Sequence, residues 1–324
     1  MSPFKAAYGL LLVLAALSQS AYAEEACSLK KLGTMQAQIT PDNQLVVQTK
    51  IHGMAVPLLL DTGAVWNGIS RAMAQRLGLQ FLNANAFMRP IGGEVLTERV
   101  EIGEIELGNV KSSTLNFYGL HKGGDGTDGK AAGVLAGANQ LMDLEIDPAG
   151  NVVNFFDQDH CTGKTVYWSG DYGVLPVHKD KDTNWMTVDV ELDGQKLKAM
   201  IDTGASWSLL PSGIALDRFG LSDSSPDMVP TEGVTIDSQP QAASAHTFQS
   251  LKIGDIVIHN PRIMVATLRH DTDMAGSSHM NRQALYMPDL LIGMNILKNF
   301  HMFIAYREDA IYYTGVNAGR VAKQ

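Results

Sequence analysis

"LLLDTGAVWNGIS", Leu58–Ser70, decides how this chain is read. An apolar run ends in an acid, continues through Thr-Gly-Ala and turns apolar again. The run has the character of a buried strand, and an acid at the end of such a strand is costly unless something uses it. The pattern returns in "AMIDTGASWSLLP", Ala199–Pro211, again with a tryptophan three residues after the glycine.

The repeat extends outward from these two points. "LVVQTKIHGMAVPLLLDTGA" (Leu45–Ala64) lies over "MTVDVELDGQKLKAMIDTGA" (Met186–Ala205) without a gap, at an offset of 141 residues. "LAGANQL" (Leu135–Leu141) matches "LIGMNIL" (Leu291–Leu297) at an offset of 156, so the second half carries extra residues between its matched segments. An internal duplication of this size means two similar units.

Locally the pattern is β. "QLVVQTKI" and "WMTVDVEL" alternate apolar and polar residues, and each is followed by a turn at "HG" or "DG". "VPLLLD" and "LKAMID" read as the returning strands of hairpins, covered on both faces. "RVEIGEIELGNV", "QSLKIGDIVIHN", "LEIDPAGNVVNFF" and "FHMFIAYREDAIYYT" show strand-turn-strand rhythms. Short helices are expected at "SRAMAQRLG", "NQLMDL" and "PSGIALDRFG". The fold class is all-β, built as two similar lobes.

Residues 1–23 have the pattern of a secretory signal: Lys5, an apolar core at Gly9–Leu17, and small residues ending at Ala23, where cleavage is expected. A retained N-terminal anchor is the alternative. The expected organisation is a signal peptide at 1–23, one lobe at 24–160, a polar Gly-rich linker at 161–173, and a second lobe at 174–324. The location is periplasmic or secreted, with no membrane attachment after cleavage. Without Lys5 the chain has 24 basic against 34 acidic residues, a formal charge of −10. An acidic chain without basic runs excludes nucleic acid as a partner. Cys27 and Cys161 suit one bridge in an oxidising compartment, with two buried free thiols as the alternative.

A D-T-G-A tetrapeptide arises by chance roughly once in 10⁵ positions. An Asp that caps a turn and a Gly that supplies a positive φ would account for one copy. They leave unexplained why two acids stand at corresponding points of duplicated lobes. If the lobes pack about a pseudo-twofold axis, equivalent loops meet there and their carboxylates become neighbours. Close carboxylates share a proton, so one is a base while the other is an acid. Hydrolysis of a peptide by a bound water requires that pair of roles. Gly63 and Gly204 let backbone N–H groups approach the acids, and the Thr62 and Thr203 hydroxyls can brace one loop against the other.

On "DTGA" twice, with "LAG" and "LIG" following, the chain resembles the aspartic peptidase family, in both its pepsin-like and its retroviral (retropepsin-like) branches. Within that family it resembles a bacterial, retropepsin-like form with two fused lobes. The resemblance implies a bilobal acid-protease-like fold of two β-barrel-like lobes, with an extended peptide or protein substrate in the cleft between them. It implies Asp61 and Asp202 as the catalytic pair of an aspartic endopeptidase. Thr62, Gly63, Ala64, Thr203, Gly204 and Ala205 would be loop support, and Gly137 and Gly293 would support the loops from beside them. No cofactor or metal is implied, and a monomer suffices because both acids lie on one chain. A catalytically silent peptide-binding or inhibitory protein on the same fold is the rival reading.

Ala64 and Ala205 stand where pepsin-like enzymes have Ser or Thr. The missing hydroxyl removes a hydrogen bond to the ionised acid, so activity is expected at mildly acidic to near-neutral pH. "MRPIGGEVLTERVEIG" (Met88–Gly103) is a candidate flap with Gly92 and Gly93 at its tip; an ordinary surface hairpin is the alternative. Trp66 and Trp207 are expected as core aromatics bracing the Asp loops, with lining the cleft as the alternative. The G-x-x-x-x-G-K at Gly124–Lys130 ends in Ala131 where a phosphate loop needs Ser or Thr, and reads as a solvated loop.

Overall fold

The computed structural model describes residues 27–88, 95–121, 123–127, 129–137, 141–180, 185–234, 240–267 and 288–316. The first half contains β1 (Lys31–Ile39), β2 (Leu45–Ile51), β3 (Met54–Asp61), β4 (Asn67–Ser70), α1 (Arg71–Arg76), β5 (Leu82–Met88), β6 (Leu96–Leu107), β7 (Val110–Leu120), β8 (Gly133–Ala136), β9 (Asp143–Asp147) and β10 (Val152–Phe156). The second contains β11 (Gly173–Pro176), β12 (His178–Lys179), β13 (Met186–Leu192), β14 (Gln195–Ile201), β15 (Leu209–Pro211), α2 (Ser212–Phe219), β16 (Val229–Val234) and β17 (Pro240–Thr247). It continues with β18 (Ser250–Ile253), β19 (Ile256–His259), β20 (Arg262–Ala266), β21 (Leu290–Ile292), α3 (Met294–Leu297), β22 (Phe300–Ala305) and β23 (Ala310–Gly315).

The hairpins that deliver the two acids are alike because their turns are alike. His52 (φ 50°) and Gly53 (φ 78°) join β2 to β3, and Asp193 (φ 44°) and Gly194 (φ 79°) join β13 to β14. Two consecutive positive φ angles make a turn whose twist matches that of the flanking strands. The returning strands are then buried on both sides. β3 pairs in parallel with β8, Asp61 opposite Ala136, and β14 pairs in parallel with β21, Ile201 opposite Ile292. Parallel pairs survive only where both faces are covered, which is why "LLLD" and "AMID" carry no polar alternation.

In the first half β2–β3–β8–β4–β7–β6 closes into a ring, because β6 also pairs with β2, Leu107 opposite Thr49. The second half has the same order, β13–β14–β21–β15–β20–β17, with β18 against β13. There the long hairpin is interrupted. Pro261 has no N–H to give and Asn260 takes φ 52°, so β19 and β20 are separate strands. The ladder is carried across by Phe248 N–H to Pro261 O (3.0 Å) and Asn260 N–H to Gln249 O (3.0 Å).

A six-stranded layer, β11–β23–β22–β9–β10–β1, joins the halves. Its central step pairs β22 with β9, Met302 opposite Ile146 and Ile304 opposite Leu144. The main apolar core runs from Met35 and Leu58 through Ile146 and Ile304 to Ile201 and Leu251 without a break. Cys27 and Cys161 are joined in a disulfide, with Cα atoms 5.4 Å apart.

Helices form at 71–76 and 212–219, within the stretches expected to be helical, the first capped by Ser70 Oγ and the second ended by Gly220 at φ 66°. "NQLMDL" differs: Asp143 and Leu144 begin β9, drawn into the central layer by pairing with β10 and β22. Residues 139 and 140 of that stretch lie outside the described residues; the second half has a short helix at Met294–Leu297. Among the described residues no helix is long and apolar enough to cross a membrane.

Candidate active site

Both acids stand where their buried strands run out, Asp61 at 9% and Asp202 at 8% exposure. Each is gripped by its own loop. Asp61 Oδ1 accepts from Gly63 N–H (2.9 Å) and Ala64 N–H (2.8 Å); Asp202 Oδ1 accepts from Gly204 N–H (3.0 Å) and Ala205 N–H (3.1 Å).

The two loops are interlocked by their threonines. Thr62 Oγ1 donates to Ile201 O (2.7 Å) and accepts from Thr203 N–H (3.1 Å). Thr203 Oγ1 donates to Leu60 O (2.7 Å) and accepts from Thr62 N–H (3.1 Å). Each hydroxyl therefore bonds the opposite half through both its donor and its acceptor. This pulls the loops so close that neither glycine can be replaced freely. A Cβ on Gly63 would lie 2.9 Å from the Asp202 carboxyl carbon, and one on Gly204 would lie within the van der Waals shell of the Asp61 carboxyl. The acids of the two halves are thus neighbours, each seated against the other loop's glycine.

Burial is the largest influence on both acids and raises both pKa values. Asp61 is pushed well above the ordinary carboxylate value by burial and then by the charge of Asp202, against the pull of the Ala64 and Gly63 amides. Asp202 is raised by burial and restrained by its own loop amides. Each carboxyl also feels the other: the neighbour raises Asp61 and lowers Asp202. The pair is therefore one titrating unit holding a shared proton.

Behind the loops run the two glycine segments. A Cβ on Gly137 would come within 3.1 Å of Thr62 Cα, and one on Gly293 within 2.6 Å of Ala205 O. Side chains the sequence reading passed over hold these segments. Asn67 Oδ1 accepts from Ala136 N–H (2.9 Å), and Ser208 Oγ accepts from Gly293 N–H (3.0 Å) while bonding Asn295 Oδ1 (2.9 Å). Asn67 and Ser208 are separated by the same 141 residues as the acids, a signal present in the repeat. Tyr306, whose hydroxyl donates to Gly137 O (2.8 Å), has no such signal.

The two tryptophans differ: Trp66 packs against the apolar cluster of Leu59, Ala64, Val134 and Ala136 beside the Asp61 loop, as expected of a bracing aromatic, whereas Trp207 is not core. Trp207 is 42% exposed, and Trp66 is half-buried, edge-on to Tyr118 with centroids 6.0 Å apart. Backbone lies beneath the second loop: Met294 N–H bonds Ala205 O (2.7 Å) and Asn295 N–H bonds Ser206 O (3.0 Å). Gly92 and Gly93, the candidate flap tip, lie outside the described residues; β5 and β6 flank them, Met88 opposite Leu96. Among the described residues no group of three or more His, Cys, Asp or Glu side chains is arranged to hold a metal ion.

Two family models match the chain, one per half. The model for gag-polyprotein aspartyl proteases matches residues 47–135, and the aspartyl protease model matches residues 188–296. Among solved structures, conglutin gamma, a basic 7S globulin from lupine seeds, is similar with TM-score 0.50 at 11% identity, covering 89% of this chain and 95% of that one. Basic 7S globulin from soybean has TM-score 0.47 at 12% identity, covering 91% and 98%. A retropepsin-like aspartic protease from Rickettsia conorii has TM-score 0.33 at 20% identity, covering 46% of this chain and 95% of its own. No curated protein matches the chain in sequence. At these identities the lupine structure speaks for the fold alone.

Proposed function

The chain belongs to the aspartic peptidase family, and from that premise we propose that it is an exported aspartic endopeptidase acting through Asp61 and Asp202. One observation carries the reading: two buried acids from opposite halves, each held by two amides of its own loop and pressed on the other loop's glycine.

The chemistry follows from the shared proton. A water held between the acids loses a proton to the ionised carboxylate as its oxygen attacks the peptide carbonyl carbon. The protonated carboxyl gives its proton to the carbonyl oxygen, forming a tetrahedral diol. When the C–N bond breaks, the proton taken from water passes to the departing nitrogen, which leaves as an amine, while one diol hydroxyl returns its proton to the other carboxylate as the product's C=O forms, so the acid pair regains its starting charge. No covalent enzyme intermediate arises. The interlocked threonines fix the geometry beforehand, so little reorganisation accompanies the reaction. An extended peptide would bind by main-chain hydrogen bonds, as an added strand does.

The raised pKa values support activity at mildly acidic to near-neutral pH, since both acids release their protons above the ordinary range. Under this reading residues 1–23 direct export to the periplasm or medium. The working unit is then a monomer of two lobes, 24–160 and 174–324, joined by 161–173.

The test is cleavage of a diverse peptide mixture by the exported protein across pH, with and without pepstatin, a mimic of the tetrahedral intermediate. Asp61→Asn and Asp202→Asn are each expected to abolish cleavage while leaving the far-UV circular dichroism unchanged. Turnover retained in either variant refutes the assignment of the pair. A folded wild-type protein that cleaves nothing, yet binds extended peptides, would instead support the silent peptide-binding reading.

A further inference from the structure

The two acid loops match, but what lies behind them does not. In the second half the support is local: Gly293 N–H is bonded by Ser208, and Ser208 by Asn295 of the same half. In the first half Asn67 bonds Ala136 N–H, and the next carbonyl, Gly137 O, is bonded from the other end of the chain. Tyr306 follows the second-half strand β22, is 2% exposed, and crosses to donate its phenol proton to Gly137 O at 2.8 Å.

The phenol is itself held at its base. Tyr306 N–H donates to Asp143 Oδ1 (2.9 Å), and Asp143 is fully buried. The other oxygen of Asp143 meets His160 Nε2 (2.7 Å), and Gln158 Nε2 donates to Oδ1 (3.2 Å). His160 Nδ1 faces Glu308 Oε1 at 3.3 Å, and its chain neighbour Cys161 is bridged to Cys27. A polar chain thus runs from His160, the neighbour of the bridged Cys161, through buried Asp143 and Tyr306 to Gly137. Gly137 runs close beside the Asp61 loop: a Cβ added there would lie 3.1 Å from Thr62 Cα and 3.3 Å from Asp61 O.

We infer that Tyr306 is a positioning residue for the Asp61 loop: a strut from the second half that seats Gly137 against Thr62 and Asp61, with the Asp143–His160 pair as its anchor. The catalytic part of this inference rests on the peptidase reading; the mechanical part does not. Burial and the nearby Asp143 charge raise the phenol's pKa, so it remains a donor throughout the working range. The geometry of the first acid is then set by how the halves dock, whereas that of the second is set within its own half.

Tyr306→Phe keeps the ring and its packing and removes only the donor. Two readouts separate positioning from simple destabilisation. The first is kinetic, per folded molecule: kcat is expected to fall roughly 10-fold with KM nearly unchanged, and the pH–rate profile to shift, because the fault lies in the alignment of the acids. The second needs no turnover. Amide hydrogen exchange by NMR should quicken at Thr62, Gly63 and Ala64 by roughly 10-fold relative to Thr203, Gly204 and Ala205. Tyr306→Phe with wild-type kcat, profile and exchange overturns the inference, as does equal quickening in both loops. If wild-type protein cleaves nothing, the peptidase reading fails, and the exchange ratio alone decides the strut. Should Tyr306→Phe not fold, Asp143→Asn, which loosens the anchor, is expected to change the same ratio in the same direction; no change there overturns it.

Discussion

Thr203 and Thr62 carry an interlock of four hydrogen bonds in which every partner is buried backbone or hydroxyl. Thr203→Val keeps the shape but strands Leu60 O and Thr62 N–H, and each orphaned group costs about 1–3 kcal/mol. A loss of about 2–5 kcal/mol in urea denaturation is expected, with Thr203→Ser losing far less. The acids behave differently. Their folded pKa values are raised, so the native state binds the proton more tightly than the unfolded chain. The associated stability is fully present below the unfolded carboxylate pKa and is lost as pH rises through the raised values. Asp61→Asn removes an acid that must ionise while buried. The variant is expected to melt higher than wild type at about pH 8 and to lose that advantage near about pH 4. A thermal melt series settles it, and a variant equally displaced at both pH values would show that burial does not govern Asp61.

Among the elements, the parallel pairs β3–β8 and β14–β21 set how closely backbone can approach the acid loops. A methyl group on Gly293 meets Ala205 O at 2.6 Å and the Trp207 carbonyl carbon at 2.6 Å, all main chain that has nowhere to go. On Gly137 the nearest contacts, Thr62 Cα at 3.1 Å and Thr62 Cγ2 at 3.2 Å, leave more room. Gly293→Ala is therefore expected to cost about 3 kcal/mol and Gly137→Ala about 1 kcal/mol, an order that chemical denaturation can check. The hairpins, turns and acid loops were legible in the sequence because each is local: a period of two, a two-residue turn, a tetrapeptide repeated in register. The strand at Asp143 was misread as helix because its fate is decided by β10 and β22, not by its own residues. Trp207 was misplaced for a similar reason, since the backbone beside its loop comes from Gly293 and Met294, far away in sequence.

Across the whole molecule, the threonine interlock, the β22–β9 pairing and the chain that Tyr306 completes all join the halves. The disulfide closes a separation of 134 residues, ending beside His160. A loop of that length restricts the unfolded chain strongly, so Cys161→Ser paired with Cys27→Ser is expected to cost about 2–5 kcal/mol, seen as a lower melting temperature in oxidising buffer. Reducing agent should bring the wild type to the same value. By itself the sequence determined the β character, the duplication and the two acid loops, because periodicity and repeated motifs are written in contiguous residues. Only the tertiary structure decided which buried groups meet. Tyr306 and Gly137 are 169 residues apart, and no local preference can encode their bond. It exists because strand register in the central layer brings a phenol from one half beneath a carbonyl of the other.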